Sequence, residues 1–190
     1  RKQGKARTIG VSNFPTALVR KALEIDGDVA ANQVEYHPYL SQRPLLELMR
    51  SRGLVLIAHS PLVRGKILDD PVLQDIAKRR KLSVAQVALR WLVQQERVVA
   101  IPGVQNVEQL RENLRVLDVA LTKEEMAAIS ALVLLVAVVL PAEYGIDPTG
   151  VGRVLGMTKM GDIKQQLAAE AAADAAATAL ATKSPATGSS

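Results

Sequence analysis

Cysteine is absent, which excludes a disulfide scaffold, thiolate metal sites and thiol nucleophiles. Either redox compartment would suit such a chain. Aromatics are almost as scarce: one Phe, one Trp and three Tyr make up 3% of the residues, too few for a platform that stacks single-stranded nucleic acid. The core must be aliphatic. Gly and Pro follow no fixed period, so the chain is neither collagen-like nor a linker. What is present is 48% hydrophobic and 23% charged over 190 residues, a balance that builds one sizeable globular core.

Charge is unevenly spread. Residues 1–100 carry 17 Lys and Arg against 9 Asp and Glu, whereas 101–190 carry 7 against 10. The basic part suits an anionic ligand. The densest run, Lys78-Arg79-Arg80-Lys81, closes a helical pattern, where cations complement the helix dipole. It reads as a solvated helix end and not as a nucleic-acid patch, since no recognition motif accompanies it. The basic start, Arg1 to Arg7, reads as a helix end and Gly turn with something expected before it. It has no apolar stretch of the signal-peptide kind, so the expected location is cytoplasmic.

From residue 7 to about 132 a short apolar strand, a turn and an amphipathic helix recur, the pattern of a parallel sheet with crossover helices. Strands are expected at Thr8 to Val11, Asn32 to Glu35, Val55 to Ala58 and Val98 to Ile101. Helices are expected at Thr16 to Ile25 with Thr16 as cap, Pro44 to Arg52 closed by Gly53, Pro71 to Arg80, and Val84 to Gln94 capped by Ser83. Asn106 is expected to cap a helix through Leu114, and Thr122 with Glu125 has the spacing of a capping box. Four βα units fit half of a (β/α)8 barrel or a small doubly wound sheet, and spacing alone does not choose between them.

The composition changes at about Leu132. Met126 to Ala142 is 17 residues, all apolar or Pro except Ser130, at the lower limit for a membrane span. Only its beginning fits a helix of the first domain. Val133 to Leu140 is left needing cover, expected from the rest of the chain or from self-association in preference to a bilayer. A Gly- and Pro-containing segment follows, then an Ala-rich tract from Ala168 to Ala181, helix-prone but expected to be frayed or disordered because it has no apolar face beyond Ala to bury. The expected domains are 1–132 and 133–190.

Four motifs sit where α/β folds bind ligands, at the C-terminal ends of the four strands. They are Gly10-Val11-Ser12-Asn13-Phe14, Asn32 to Tyr39, Ala58-His59-Ser60-Pro61-Leu62, and Ile101-Pro102-Gly103 followed by Glu112-Asn113. Singly each is unremarkable: Ser12-Asn13 could be a turn and Gln33 a satisfied buried amide. In this order, with helices between, they resemble the aldo-keto reductases, and most nearly the diketogluconate-reductase-like branch, over about residues 4 to 132.

That resemblance implies the C-terminal half of a (β/α)8 barrel that binds NADP or NAD and, in the intact family, reduces small aldehydes and ketones. Ser12, Asn13 and Gln33 would hold the nicotinamide carboxamide. His59 stands where the family usually has a Tyr or Trp stacked on the nicotinamide ring. Ser60, Leu62 and Arg64 would lie along the pyrophosphate. Gly103, Val104 and Gln109 occupy the places of the Lys, Ser and Arg that clamp the 2′-phosphate in NADPH-specific members, while Glu112 and Asn113, at the adenine, match. NADP preference is therefore expected to be weak.

No catalytic or metal-ligating residue is assigned. The family's catalytic Asp, Tyr, Lys and His belong to the first four βα units, which these residues do not match, so the chain alone is expected to be inactive. His37 lies in a different element from the family's catalytic His and reads as structural, and His59 lacks the neighbours of a hydrolase triad. Residues 136 to 167 resemble instead the span-exit segment of small bacterial membrane-anchor proteins, carried by Leu140-Pro141-Ala142-Glu143-Tyr144-Gly145 through Gly150. This leaves a rival expectation: a non-enzymatic protein that binds a partner or is tethered through residues 126–142.

Overall fold

The computed structural model describes residues 4–135, 140–145, 153 and 157–181. It forms two compact units, Arg1–Leu132 and Val133–Ser190.

The first unit is a four-stranded sheet of β1 (Ile9–Ser12), β2 (Val29–Glu35), β3 (Val55–His59) and β4 (Val98–Ala100). All pairings are parallel and the spatial order is β1-β2-β3-β4. A doubly wound sheet reverses its strand order at a switch point. This one does not, so the winding is the single sense found in barrels. The strands differ from expectation by a residue or so, except β2, whose first residues Val29 and Ala31 already pair with β1 and β3.

Helices α1 (Thr16–Ile25), α2 (Arg43–Ser51), α3 (Pro71–Arg80), α4 (Val84–Val93), α5 (Val107–Leu114) and α6 (Lys123–Leu134) follow in chain order. Most ends are fixed by the side chains expected to fix them. Asn106 Oδ1 accepts from Gln109 N at 2.8 Å, and Ser83 with Gln86 forms a complete capping box on α4. Thr122 and Glu125 do the same on α6, with each accepting from the other's backbone N–H at 3.2 and 2.9 Å. Thr16 is the exception: it is the first helical residue, and Pro15 holds the cap position without a side-chain bond. Pro supplies a fixed φ and no donor, so α1 starts without a Thr cap.

Two C-termini use the left-handed region. Gly53, at φ +71, follows α2, and Leu54 N donates back to Met49 O at 2.8 Å. After α3 the same geometry is held by Lys81 at φ +55. The basic run is thus a helix end.

One face of the sheet is covered. Val34, Leu56, Ala58 and Val98 are buried together with Leu45, Met49, Ile76, Val87, Leu92 and Ile129. Trp91 packs on Tyr36 with centroids 5.3 Å apart. Both polar tips are satisfied, Trp91 Nε1 donating to Ser130 Oγ at 3.2 Å and Tyr36 OH to Gln95 Oε1 at 2.7 Å. The opposite face carries Ser12, Gln33 and Ile57 in register, and Ile57 pairs with Val99.

In the second unit, α7 (Leu140–Tyr144) and α8 (Met157–Ala181) pack together. The Ala-rich tract expected to fray is instead part of the 25-residue helix α8. Ala has the best helix propensity, and this length is beyond the roughly 12–15 residues below which isolated helices are marginal. Of the apolar run, 136–139 lie outside the described residues, as do 146–150 of the anchor-like phrase. Among the described residues no helix is long and apolar enough to cross a membrane.

Candidate functional site

β1, β2 and β3 end side by side, and their last residues are tied together. Asn13 N donates to Gln33 O at 2.8 Å, and Ser12 Oγ donates to the same carbonyl at 3.3 Å. His59 Nε2 lies 3.4 Å from Asn13 Oδ1, while Nδ1 lies 3.2 Å from Ser60 Oγ. Five of the expected site residues therefore form one connected patch at three adjacent strand ends.

The backbone there is unusual. Asn13, Ser60, Val63 and Arg64 all have φ between +50 and +57, and Gly65 has +88. Asn tolerates this region; a β-branched Val does not. Neither composition nor periodicity signals such a run, which sequence reading missed. Leu62 and Val63 pack against the core and hold the turn while Arg64 stands exposed.

Asn32 was also missed as a site component. It is fully buried, and its amide clamps the loop after β1: Nδ2 donates to Phe14 O at 2.8 Å, and Phe14 N donates to Oδ1 at 3.4 Å. Both bonds fix where Asn13 stands. The available signal was a polar amide at a strand position whose neighbours on the same face, Val11 and Leu56, are apolar.

The remaining residues follow β4. Gly103, Val104 and Gln109 are exposed, and Gln109 Oε1 accepts from Gln105 N at 2.8 Å. Asn106 and Gln109 thus already occupy two backbone donors around the start of α5. Arg111, the cation within α5, lies 3.7 Å from Glu108. Glu112 and Asn113 are half-buried. Among the described residues, the side chains of Gln33, Arg64, Glu112 and Asn113 form no hydrogen bond, so these groups remain available to a ligand. No group of described His, Asp or Glu could hold a metal ion.

Beside the patch, a groove of about 410 Å³ is lined by Asn13, Phe14, Thr16, Glu35, Ser41 and Gln42, among others. His37 Nε2 lies 3.3 Å from Glu35 Oε1, and its Nδ1 accepts from Tyr39 N at 3.2 Å. Burial holds the imidazole below its ordinary pKa, against the pull of Glu35. Tyr39 OH donates to Asp70 Oδ2 at 2.8 Å, and burial with that carboxylate pushes its phenol well above the usual range. These bonds connect the loop after β2 to the cap of α3.

A family model for the aldo/keto reductase family matches residues 1–134. The chain belongs to the aldo/keto reductase family. It is 42% identical over 133 residues to the glyoxal reductase of Bacillus subtilis (strain 168), covering 69% of this chain and 48% of that protein. Among solved structures it is similar to the thermostable aldo-keto reductase Tm1743, at 36% identity and TM-score 0.65, over 69% of this chain and 50% of the other. A Gox0644 variant in complex with NADPH aligns at 32% identity and TM-score 0.64, over 69% and 48%. The chain thus spans about half the length of the curated relatives it matches.

Proposed function

We propose that the first unit is the dinucleotide-binding half of a (β/α)8 carbonyl reductase using NADH or NADPH. The observation that carries this reading is the connected patch of Ser12, Asn13, Gln33, His59 and Ser60 at three parallel strand ends, with free polar groups beside it. The likeness to a relative solved with NADPH supports it. When bound, the cofactor supplies hydride to a small aldehyde or ketone.

The chain's own residues bind and orient. The Asn13 and Gln33 amides hold the carboxamide, and the bonds from Asn32 fix the loop that presents Asn13. The imidazole of His59 offers a face to the nicotinamide ring. Arg64 pairs with the pyrophosphate beside Ser60 and Leu62, and Glu112 with Asn113 meets the adenine end. Gly103, Val104 and Gln109 leave a 2′-phosphate without a cation, and two backbone donors nearby are already engaged. Two missing charge-assisted bonds remove roughly 1.5–3 kcal/mol each from a clamp for NADP.

Calorimetry with NAD⁺ and NADP⁺ on the chain and on a variant with Asn13 and Gln33 both replaced by Ala tests the reading. Both cofactors are expected to bind the unsubstituted chain, with NADP⁺ favoured by less than about tenfold, or roughly 1.4 kcal/mol. The double variant is expected to bind at least tenfold more weakly, also roughly 1.4 kcal/mol. Equal affinity of variant and parent would defeat the assignment of the carboxamide site.

A further inference from the structure

After β3, the consecutive residues Val63, Arg64 and Gly65 stand in the left-handed region at φ +50, +52 and +88. For Val and Arg this conformation costs free energy, so the loop keeps its shape only where its ends are held. Backbone bonds to the end of β3 hold the near end: Val63 N donates to Ser60 O at 3.0 Å, and Gly65 N to Leu62 O at 2.8 Å. The far end rests on the fully buried Ile67 and on Asp70, whose N donates to Ile67 O at 3.2 Å. Asp70 is itself buried, and its two carboxylate oxygens have separate partners. Oδ1 caps α3, accepting from Val72 N at 2.9 Å and from Leu73 N at 3.0 Å. Oδ2 accepts from Tyr39 OH at 2.8 Å.

Capping α3 takes only Oδ1, so the helix start does not account for the bond to Tyr39. Tyr39 belongs to the loop after β2, which is fixed on its own strand. Its N donates to His37 Nδ1 at 3.2 Å, Leu40 N donates to His37 O at 3.0 Å, and Gln42 Nε2 donates to Glu35 O at 2.9 Å. The Tyr39 ring is half-buried and packs against the core. Burial and the Asp70 carboxylate raise the phenol's pKa, so the hydroxyl stays protonated and donating across the neutral range. A rigid phenol therefore joins the end of β2, where Gln33 and Glu35 stand, to the far end of the Arg64 loop. We propose that Tyr39, acting through Asp70, is a positioning residue for Arg64: it fixes the left-handed loop shape in which Arg64 meets the pyrophosphate of a bound dinucleotide. This rests on the reading of the strand ends as a dinucleotide site. It adds that the loop after β2, which supplies no group to the pyrophosphate, sets how well β3's loop binds it.

Tyr39→Phe keeps the ring and its packing and removes only the hydroxyl. Amide exchange on the full ¹⁵N-labelled chain reads the loop without any ligand. The bonded amides of Val63, Gly65 and Asp70 are expected to exchange roughly tenfold faster or more in the variant, with β2 and β3 unchanged. With NAD⁺, Tyr39→Phe is expected to weaken binding roughly tenfold, whereas in an Arg64→Ala background it is expected to change affinity by less than about twofold. A contact that only stabilises the fold would weaken binding equally in both backgrounds, and that result would overturn the proposal. Unchanged exchange in the loop would overturn it too, as would parental NAD⁺ affinity in Tyr39→Phe. A parent chain that binds no NAD⁺ would instead defeat the dinucleotide reading, while faster loop exchange in the variant would still support the hold of Tyr39 on the Arg64 loop.

Discussion

Arg64 stands at φ +52 and ψ +37, exposed and without a hydrogen bond among the described residues. A non-glycine residue there costs about 1–2 kcal/mol. Such strain persists where the surroundings enforce it, commonly at ligand loops. Arg64→Gly removes the strain but adds about 0.5–1 kcal/mol of unfolded-chain entropy. The expected result is a urea midpoint unchanged or slightly raised, together with cofactor affinity reduced tenfold or more because a charge-assisted contact is gone. Lower stability with unchanged affinity would contradict the role given to Arg64. The placement of Ser12, Asn13 and Gln33 at adjacent strand ends was legible from the sequence, because strand spacing sets it. The left-handed run from Ser60 to Gly65 was not, since Val63 would adopt it only under tertiary constraint.

Among elements, α3 and α6 are joined by a single buried carboxylate. Glu125 is 5% exposed and takes two bonds from Arg80, at 2.9 and 2.7 Å, while also accepting from Thr122 N. Arg80 holds the carboxyl below its ordinary value of 4.5, so the ion pair stabilises the fold at neutral pH. That contribution is lost as the pH falls below 4.5 through the folded-state value. Glu125→Gln is expected to cost about 1–2 kcal/mol at pH 7, discounted because Arg80 is partly exposed, and to flatten the acid limb of stability. Urea unfolding at pH 7 and pH 4 measures both.

Gly161 makes a second prediction about elements. A Cβ there would meet the backbone of Gly145 and Pro141, so Gly161→Ala is expected to separate α7 from α8 and raise amide exchange across 140–145. Capping chemistry was legible in the sequence at Ser83, Asn106 and Thr122, because side-chain spacing encodes it locally. The helix propensity of the Ala-rich tract was legible in its composition; its continuity with the residues before it, which gives the helix its length, was not.

For the whole molecule, strand order and winding were only half legible: helix and strand spacing gave four βα units, and pairing decided between a barrel-type and a doubly wound sheet. The family was legible because its motifs lie at strand ends. Carbonyl reduction also needs an acid at the forming alkoxide, worth roughly 10²–10⁴ in rate. No described side chain in the patch is assigned that role, so the 190-residue chain alone is expected to oxidise no NADH or NADPH with a generic aldehyde above the rate of its Asn13 and Gln33 double Ala variant.

Titration of ¹⁵N-labelled chain with NAD⁺, following each backbone amide, tests most directly the proposed binding of a nicotinamide dinucleotide at the strand ends. Shifts are expected at Ser12 to Phe14, Gln33 to Glu35, His59 to Gly65 and Asn106 to Asn113. The separate groove of about 540 Å³ lined by Arg79, Arg80, Thr122 and Glu125 is expected to stay silent. Saturable shifts at that groove with none at the strand ends, or no shifts anywhere, would contradict the account.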